Sequence, residues 1–321
     1  MVAQPRATVT AAEVKAEALR IGFVACGIAS LEPSVRGDAL DQWLAAGYGG
    51  TMRYLHRQAR KRKNPATITP GARSAIVVLE NYTAPAAERP DAGDAFKIAT
   101  YARGMDYHIV TLGRLHVLTQ WLKQHGAALA HAWVDDGPVP DRELAERAGL
   151  GWVGKNTMLI HPRIGSWTFI GSVFTDLELP VETPLATDLC GTCTRCLDAC
   201  PTDAFVADRV LDATRCLSYL TIEYKGDLPG ALMTKSDGWA FGCDVCNDAC
   251  PWNDKFATPT SVPEFAARQE PNRRDPATFD NMSELEFSRR FADTPLARPG
   301  LARMRRNVRA ARSSPTESAT R

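Results

Sequence analysis

Eight of the nine cysteines in this 321-residue chain lie within two short runs or between them. The first run, Cys190-Gly-Thr-Cys193-Thr-Arg-Cys196-Leu-Asp-Ala-Cys200-Pro201, is spaced C-x2-C-x2-C-x3-C-P. That spacing suits [4Fe–4S] ligation. Three thiolates on one tight loop reach three irons of a cube, and the fourth cysteine of such a run serves the other cluster of a two-cluster protein. The second run, Cys243-Asp-Val-Cys246-Asn-Asp-Ala-Cys250-Pro251, repeats the x2 and x3 spacings and the proline but lacks one cysteine. Cys216 is the natural replacement. The expected ligand sets are Cys190, Cys193, Cys196 and Cys250 for one cluster, and Cys200, Cys216, Cys243 and Cys246 for the other. Structural zinc also uses C-x2-C pairs, but a tight triple followed by Cys-Pro is not a zinc-ribbon spacing. A disulfide framework belongs to small secreted domains that cannot bury a core.

Two adjacent clusters carry single electrons and leave open what is reduced. The part of the chain before Cys190 is too long for a bare electron carrier, and it reads as helices and strands in alternation. A helix is expected over 9–20 with Thr10 as N-cap, then a short buried strand over 21–27 with Cys26 a free core thiol, then a helix over 35–46. The dense basic run from His56 to Pro65 reads either as a solvated face or as a phosphate-binding one. A strand over 74–82 precedes a Pro- and Ala-rich exposed loop at 84–93, and 96–104 reads as a strand running into a turn. Ile109, Leu112, Leu115, Leu118 and Leu122 set a helix from Asp106 to about His125, with Asp106 its cap and His108 a packed surface histidine. The strand over 127–134 delivers Asp135 and Asp136 at its C-terminal end, where α/β folds place catalytic groups. Asp141 reads as the cap of a helix over 142–148, which Gly149 ends. The small residues of 150–156 suit either a bulky ligand or a tight loop, and another strand covers 167–174.

Beyond Pro251 the chain is polar to about 276, then helical over 284–291 and again around 303–309. From Arg289 to Arg312 the only acid is Asp293, which favours an anionic partner, and 313–321 are expected to be disordered. The divisions expected are 1–178, 179–260 and 261–321. With a net charge of +1, nucleic-acid binding has to come from local basic patches. There is no apolar run of transmembrane length and no secretory leader, so a cytoplasmic chain without a membrane partner is expected.

The stretch from Asp135 through Arg142 to Gly149-Leu-Gly-Trp-Val-Gly-Lys155-Asn156, with Gly165-Ser166-Trp167, the two cysteine runs and Thr294-Pro-Leu296, resembles the epoxyqueuosine reductase family over most of residues 10–310. The resemblance implies an α/β fold. An N-terminal cobalamin-binding catalytic domain similar to that of reductive dehalogenases is followed by a double [4Fe–4S] ferredoxin-like domain and a short helical, basic C-terminal part. It implies reduction of epoxyqueuosine to queuosine at the wobble position of tRNA, the last step of queuosine biosynthesis, with electrons passing through two [4Fe–4S] clusters to cobalamin. The implied partners are tRNA with a GUN anticodon and an unidentified electron donor, and the implied state is a monomer. Asp135 becomes the general acid and a cobalamin contact. Arg62, Ser218, Cys243 and Asp244, with the backbone around Ala99, Leu159 and Ile170, become further cobalamin contacts, and Lys225 a tRNA contact. The chain lacks a D-x-H-x-x-G ligand motif, its nearest approach being Asp106-Tyr-His108-Ile-Val-Thr111, so the implied cobalamin has no protein histidine on cobalt. Asp136 stands where relatives often have threonine or serine, putting a second carboxylate beside the acid. Arg305, Arg306 and Arg309 are expected to share in phosphate binding. The rival readings are a cobalamin-dependent reductase of a small molecule and a non-catalytic electron carrier.

Overall fold

In a computed structural model of the chain, the described residues are 9–312 apart from 86–87, 89–92 and 186–187. The disorder expected for 313–321 and most of the loop expected at 84–93 lie outside them. Helix α1 (Ala11–Ile21) opens with a capping box in which Thr10 Oγ1 accepts from the Glu13 N–H and the Glu13 carboxylate accepts from the Thr10 N–H. Gly22, at φ 113°, closes it. Residues 21–24 therefore form the end of the helix and a turn rather than the expected strand, and β1 starts later (Ala25–Ser30). There follow α2 (Gly37–Ala45), α3 (Arg53–Lys63), β2 (Ser74–Asn81), β3 (Lys97–Ile98), α4 (Tyr107–Gln124), β4 (Ala130–Trp133), α5 (Asp141–Arg147), β5 (Trp152–Val153), β6 (Leu159–Ile160) and β7 (Thr168–Thr175).

The main sheet has the order β1-β2-β7-β4, and every neighbouring pair is antiparallel. It is covered on both faces, which is why β2 is buried along its whole length. Ile76 and Val78 face α1 and α4 through Val14, Ala18, Leu115, Leu118 and Leu122. Ala75, Val77 and Leu79, one step out of phase, face α5 through Leu144 and Ala145. The α/β class holds, but Asp135 follows an antiparallel edge strand, so the parallel-sheet rule is not what places it there. Gly27 of β1 lies so close to α5 that a Cβ would sit 2.1 Å from the Ala148 carbonyl oxygen.

The cysteine region adds α6 (Arg195–Asp198), β8 (Phe205–Ala207), β9 (Val210–Leu211), α7 (Leu217–Ile222), α8 (Gly230–Met233), β10 (Trp239–Phe241), α9 (Val245–Asp248) and α10 (Pro251–Phe256). Each cysteine run folds into a one-turn helix, α6 or α9, and the two pack together. Strand β10 pairs in parallel with β3, joining this region to the front of the chain. Helices α11 (Glu284–Phe291) and α12 (Gly300–Arg312) close over that seam, with Phe287, Phe291, Met304 and Val308 packed against Phe96, Ile98 and Phe241. No helix among the described residues is long and apolar enough to cross a membrane.

The arginines of α12 depart from expectation. Arg305 donates to the carbonyls of Phe279, Asp280 and Met282. Arg306 donates to those of Leu220, Tyr224 and Gly226, and Arg303 to those of Ile222, Arg298 and Pro299. Arg309 lies 3.2 Å from the Asp280 carboxylate. These guanidiniums tie chain segments together instead of facing a phosphate. Arg305→Ala is expected to lower the unfolding free energy by about 2 kcal/mol, since one charged donor serves three carbonyls. Arg305→Lys should restore little, because an ammonium lacks the planar fork. Chemical denaturation checks both.

Candidate active site

Cys190, Cys193, Cys196 and Cys250 line one cavity of about 90 Å³, together with Lys155, Asn156, Ile160 and Trp252. The other four thiols form a second group: Cys246 feels the charges of Cys216 and Cys200, and Cys243 those of Cys246 and Cys216. Cys196 also lies within electrostatic range of Cys246, so the two groups adjoin. Burial first, and neighbouring thiolates second, push Cys196 up to about 11. Burial likewise raises Cys216, Cys243, Cys246 and Cys250. A set of buried thiols this averse to ionisation needs a cationic centre, whose attraction for thiolates outweighs their desolvation and mutual repulsion. Among the described residues no three His, Cys, Asp or Glu side chains converge as a single metal ion requires. The Trp152 indole N–H donates to Cys190 Sγ at 3.3 Å, and the Ala204 N–H to Cys200 Sγ at 3.3 Å. Cys26 lies apart, half-buried against the α1 side of the sheet, where desolvation holds its thiol up at about 12.

The motifs flanking the acid join the two halves. The Asn156 side chain donates to the Cys246 carbonyl at 3.2 Å, and Lys155 pairs with Asp208 at 3.1 Å. Asn253 Oδ1 accepts the Ser166 N–H at 2.7 Å, while Ser166 Oγ bonds to Asn247 and Asn253 at 3.0 and 2.9 Å. Gly165, at φ 75°, lies against Asn253, where a Cβ would be 2.2 Å from Oδ1. These residues hold the cysteine loops in place.

Asp135 sits at the exposed end of β4 with φ 50°, a left-handed backbone unusual for a residue with a side chain. The Tyr107 hydroxyl donates to Asp135 Oδ2 at 2.7 Å. The Tyr107 ring is clamped in turn by stacking on Phe169 at 4.3 Å, and burial and the Asp135 charge push its phenol well above the usual range. Asp136 Oδ1 takes the Val134 N–H at 3.1 Å, which turns one oxygen of the second carboxylate back onto the strand end. Arg62 donates to the Val139 and Gly137 carbonyls at 3.1 and 3.0 Å, so α3 fixes the loop that follows the acid.

Asp141 is the first residue of α5 and not its cap. Pro140 holds the cap position, with no side-chain bond. The Asp141 Oδ1 atom is enclosed and has no hydrogen-bond partner, and neither has Arg62 Nε. Burial, then the Asp135 charge, push the Asp141 carboxyl up to about 7 against the opposing pull of Arg62 and Arg142.

From Asp135 a wall runs toward the clusters. Tyr101 stands between two carboxylates, its phenol raised by burial and then by Asp135 and Asp244, with its ring 6.2 Å from that of Tyr107 and 6.0 Å from that of Phe241. Asp244, beside Cys243, is buried and takes the Thr100 N–H at 2.7 Å. Ala99 packs on Gly242, where a Cβ would lie 2.6 Å from the alanine Cβ. The structure thus gathers Arg62 and Asp135 at one end of the wall and Ala99, Asp244 and Cys243 at the other. Leu159 and Ile170 lie behind it in the cluster that also holds Val139, and Ser218 is in α7, two residues after Cys216. Lys225 stands apart, exposed, on a cavity of about 500 Å³ lined also by Gly50, Thr51, Met52, Arg53, Tyr54, Glu223 and Gly226. Tyr54 connects that cavity with the acid, for its phenol feels both Glu223 and Asp135. Tyr54, Tyr101 and Tyr107 went unnoticed in the sequence. Only the position of Tyr107 beside the capping Asp106 hinted at a part in the site.

Two outcomes are expected. Cys246→Ser and Cys200→Ser should each remove the same cluster and about half the iron, while Cys190→Ser and Cys250→Ser remove the other, read by iron analysis and electron paramagnetic resonance. Asp141→Asn should stabilise the protein at about pH 8 and have little effect near pH 4. A carboxyl whose folded value is raised holds its proton longer than the unfolded chain does, so wild-type stability falls as pH rises from the unfolded value toward 7. Denaturation at several pH values checks the sign.

Comparison with known proteins agrees with this geometry. A profile described as "4Fe-4S double cluster binding domain" matches residues 189–253, and one described as "Epoxyqueuosine reductase QueG, DUF1730" matches 62–136. The epoxyqueuosine reductase of Xanthomonas campestris is 40% identical over 96% of this chain and 88% of its own length. That of Synechocystis sp. is 40% identical over 88% of this chain and 99% of its own. A crystal structure of epoxyqueuosine reductase with an epoxyqueuosine-modified tRNA-Tyr stem loop superposes with a TM-score of 0.85 at 30% identity, over 94% of this chain and 80% of that one. With relatives 40% identical that match along nearly their whole length, this chain belongs to the epoxyqueuosine reductase family.

Proposed function

We propose that the chain reduces the epoxide of epoxyqueuosine in tRNA to the cyclopentene of queuosine. The observation that carries this reading is the position of Asp135. It is a carboxyl at an exposed strand end, gripped by Tyr107, on a wall that passes Tyr101 to Asp244 and Cys243. The reaction breaks both C–O bonds of the epoxide, forms a C=C bond and releases water, consuming two electrons and two protons. Cysteine-held clusters deliver electrons singly.

The residues present fit cobalamin. Asp135 is an exposed carboxylate with the Tyr107 hydroxyl and the Arg62 guanidinium near it, hydrogen-bonding groups of the kind that meet the amides fringing a corrin ring. With them Asp244, Ser218, Cys243 and the backbone near Ala99, Leu159 and Ile170 would hold the cofactor. When bound, it would supply a redox-active cobalt centre able to receive electrons that arrive singly. Asp135 gives a proton to the departing oxygen, because expelling a bare alkoxide is costly. Tyr107 sets the direction of that carboxyl, and Asp136 turns one oxygen back to the Val134 N–H. Lys225 meets the tRNA at the mouth of the outer cavity. The reading includes a tRNA with a GUN anticodon, an electron donor of unidentified kind, and a monomer acting in the cytoplasm, where thiols stay reduced.

The test is mass spectrometry of nucleosides from epoxyqueuosine-containing tRNA after anaerobic incubation with cluster-loaded protein and a strong reductant, with cobalamin added or omitted. Queuosine should form only with cobalamin. Asp135→Asn should retain the clusters and lose turnover by roughly a hundredfold or more, and Tyr107→Phe should lose about tenfold. No conversion by iron-replete wild-type protein would leave a small-molecule reductase or an electron carrier.

A further inference from the structure

Helix α3 has two faces with different occupations. Arg62 and Lys63 turn inward, Arg62 to the loop carbonyls and Lys63 to Asp41 at 2.7 Å. Arg53, His56, Arg57, Arg60 and Lys61 recur at helical spacing along the other face, and all five are exposed. Among the described residues none of the five makes an ion pair or side-chain hydrogen bond, and α3 has neither an acid in its first turn nor a side-chain cap. Arg53 therefore faces the positive end of the helix, and Arg53 with Arg57, and Arg57 with Lys61, are like charges one turn apart. Arg60 and Lys61 suit the C-terminal turn, but Arg53 and the like-charge pairs weaken the helix, so stability does not account for the N-terminal part of the stripe.

We propose that this face of α3 docks the phosphate backbone of the tRNA anticodon arm and so presents the modified nucleoside to the cavity at Tyr54. The proposal rests on the tRNA reading above and adds where the backbone lies. Three observations point to this occupant. The net charge of the chain is only +1, so attraction for a polyanion has to be local. Arg303, Arg305 and Arg306 of α12, which charge alone would favour, are tied to backbone carbonyls. The stripe also begins at the site itself, because Arg53 lines the cavity that holds Lys225, and Tyr54 beside it senses Asp135. From Arg53 to Lys61 the stripe runs about 12 Å. An extended single strand can lay its phosphates along it and turn one base inward past Tyr54.

The test uses cluster-loaded full-length protein carrying Arg57→Gln, Arg60→Gln and Lys61→Gln together, which leaves the cavity intact, beside Arg289→Gln on the exposed face of α11 as a control. Binding of a labelled anticodon stem loop is followed by fluorescence anisotropy across a salt series. The triple variant should bind at least about tenfold more weakly at low salt, with a log–log salt slope shallower by about 2. It should keep its absorbance near 400 nm, raise KM for tRNA and leave kcat unchanged, while Arg289→Gln behaves as wild type. A wild-type slope in the triple variant overturns the docking surface even where conversion proceeds. So does loss of binding to anionic phosphatidylserine vesicles with stem-loop binding unaltered. Tight stem-loop binding through α3 without conversion overturns the reaction and leaves the docking surface standing.

Discussion

Everything in the site depends on a small buried network of Ser166, Asn247 and Asn253. The Ser166 N–H and hydroxyl, Asn247 Oδ1 and both ends of the Asn253 amide each meet a partner. A satisfied network in a low-dielectric interior admits one arrangement and penalises its neighbours. Ser166 lies just before β7, β7 is hydrogen-bonded to β4, and β4 ends at Asp135. Asn247 and Asn253 bracket Cys250. The distance between the acid and the cysteines is thus set through a rigid sheet and three side chains.

Around this joint the molecule tolerates unfavourable groups. Thiols crowd one another, Asp141 leaves an oxygen unpaired, and burial pushes the Asp244 carboxyl up to about 6. The main sheet carries such groups as well: Glu80, fully buried, is met by Thr111 and by Arg114 at 2.6 Å, burial raises the Cys26 thiol in β1, and Ser172 Oγ in β7 is enclosed without a hydrogen-bond partner.

What could be read from the sequence was what is encoded locally. Cysteine spacing states which thiols share a loop, the Thr10–Glu13 box marks a helix start, and α11 occupies its expected residues. What could not be read depends on distant partners. Tyr107 reaches Asp135 across 28 positions. Counting arginines says nothing about the direction of a guanidinium, and in α12 it is toward carbonyls. Asp141 looked like a cap because acids often are, yet Pro140 before it takes that position. The strand expected at 21–27 starts only at Ala25, because Gly22 is needed in a left-handed conformation to close α1.

The contact between Gly165 and Asn253 reaches into the history of the molecule. A side chain at 165 would collide with the amide that orders the second cysteine run. Neither position can drift alone, although 87 residues separate Asn253 from the Ser166 it also holds. A chimaera that takes its electron-carrying half from one relative and its acid-bearing half from another will therefore assemble only if both parents share this glycine–asparagine fit.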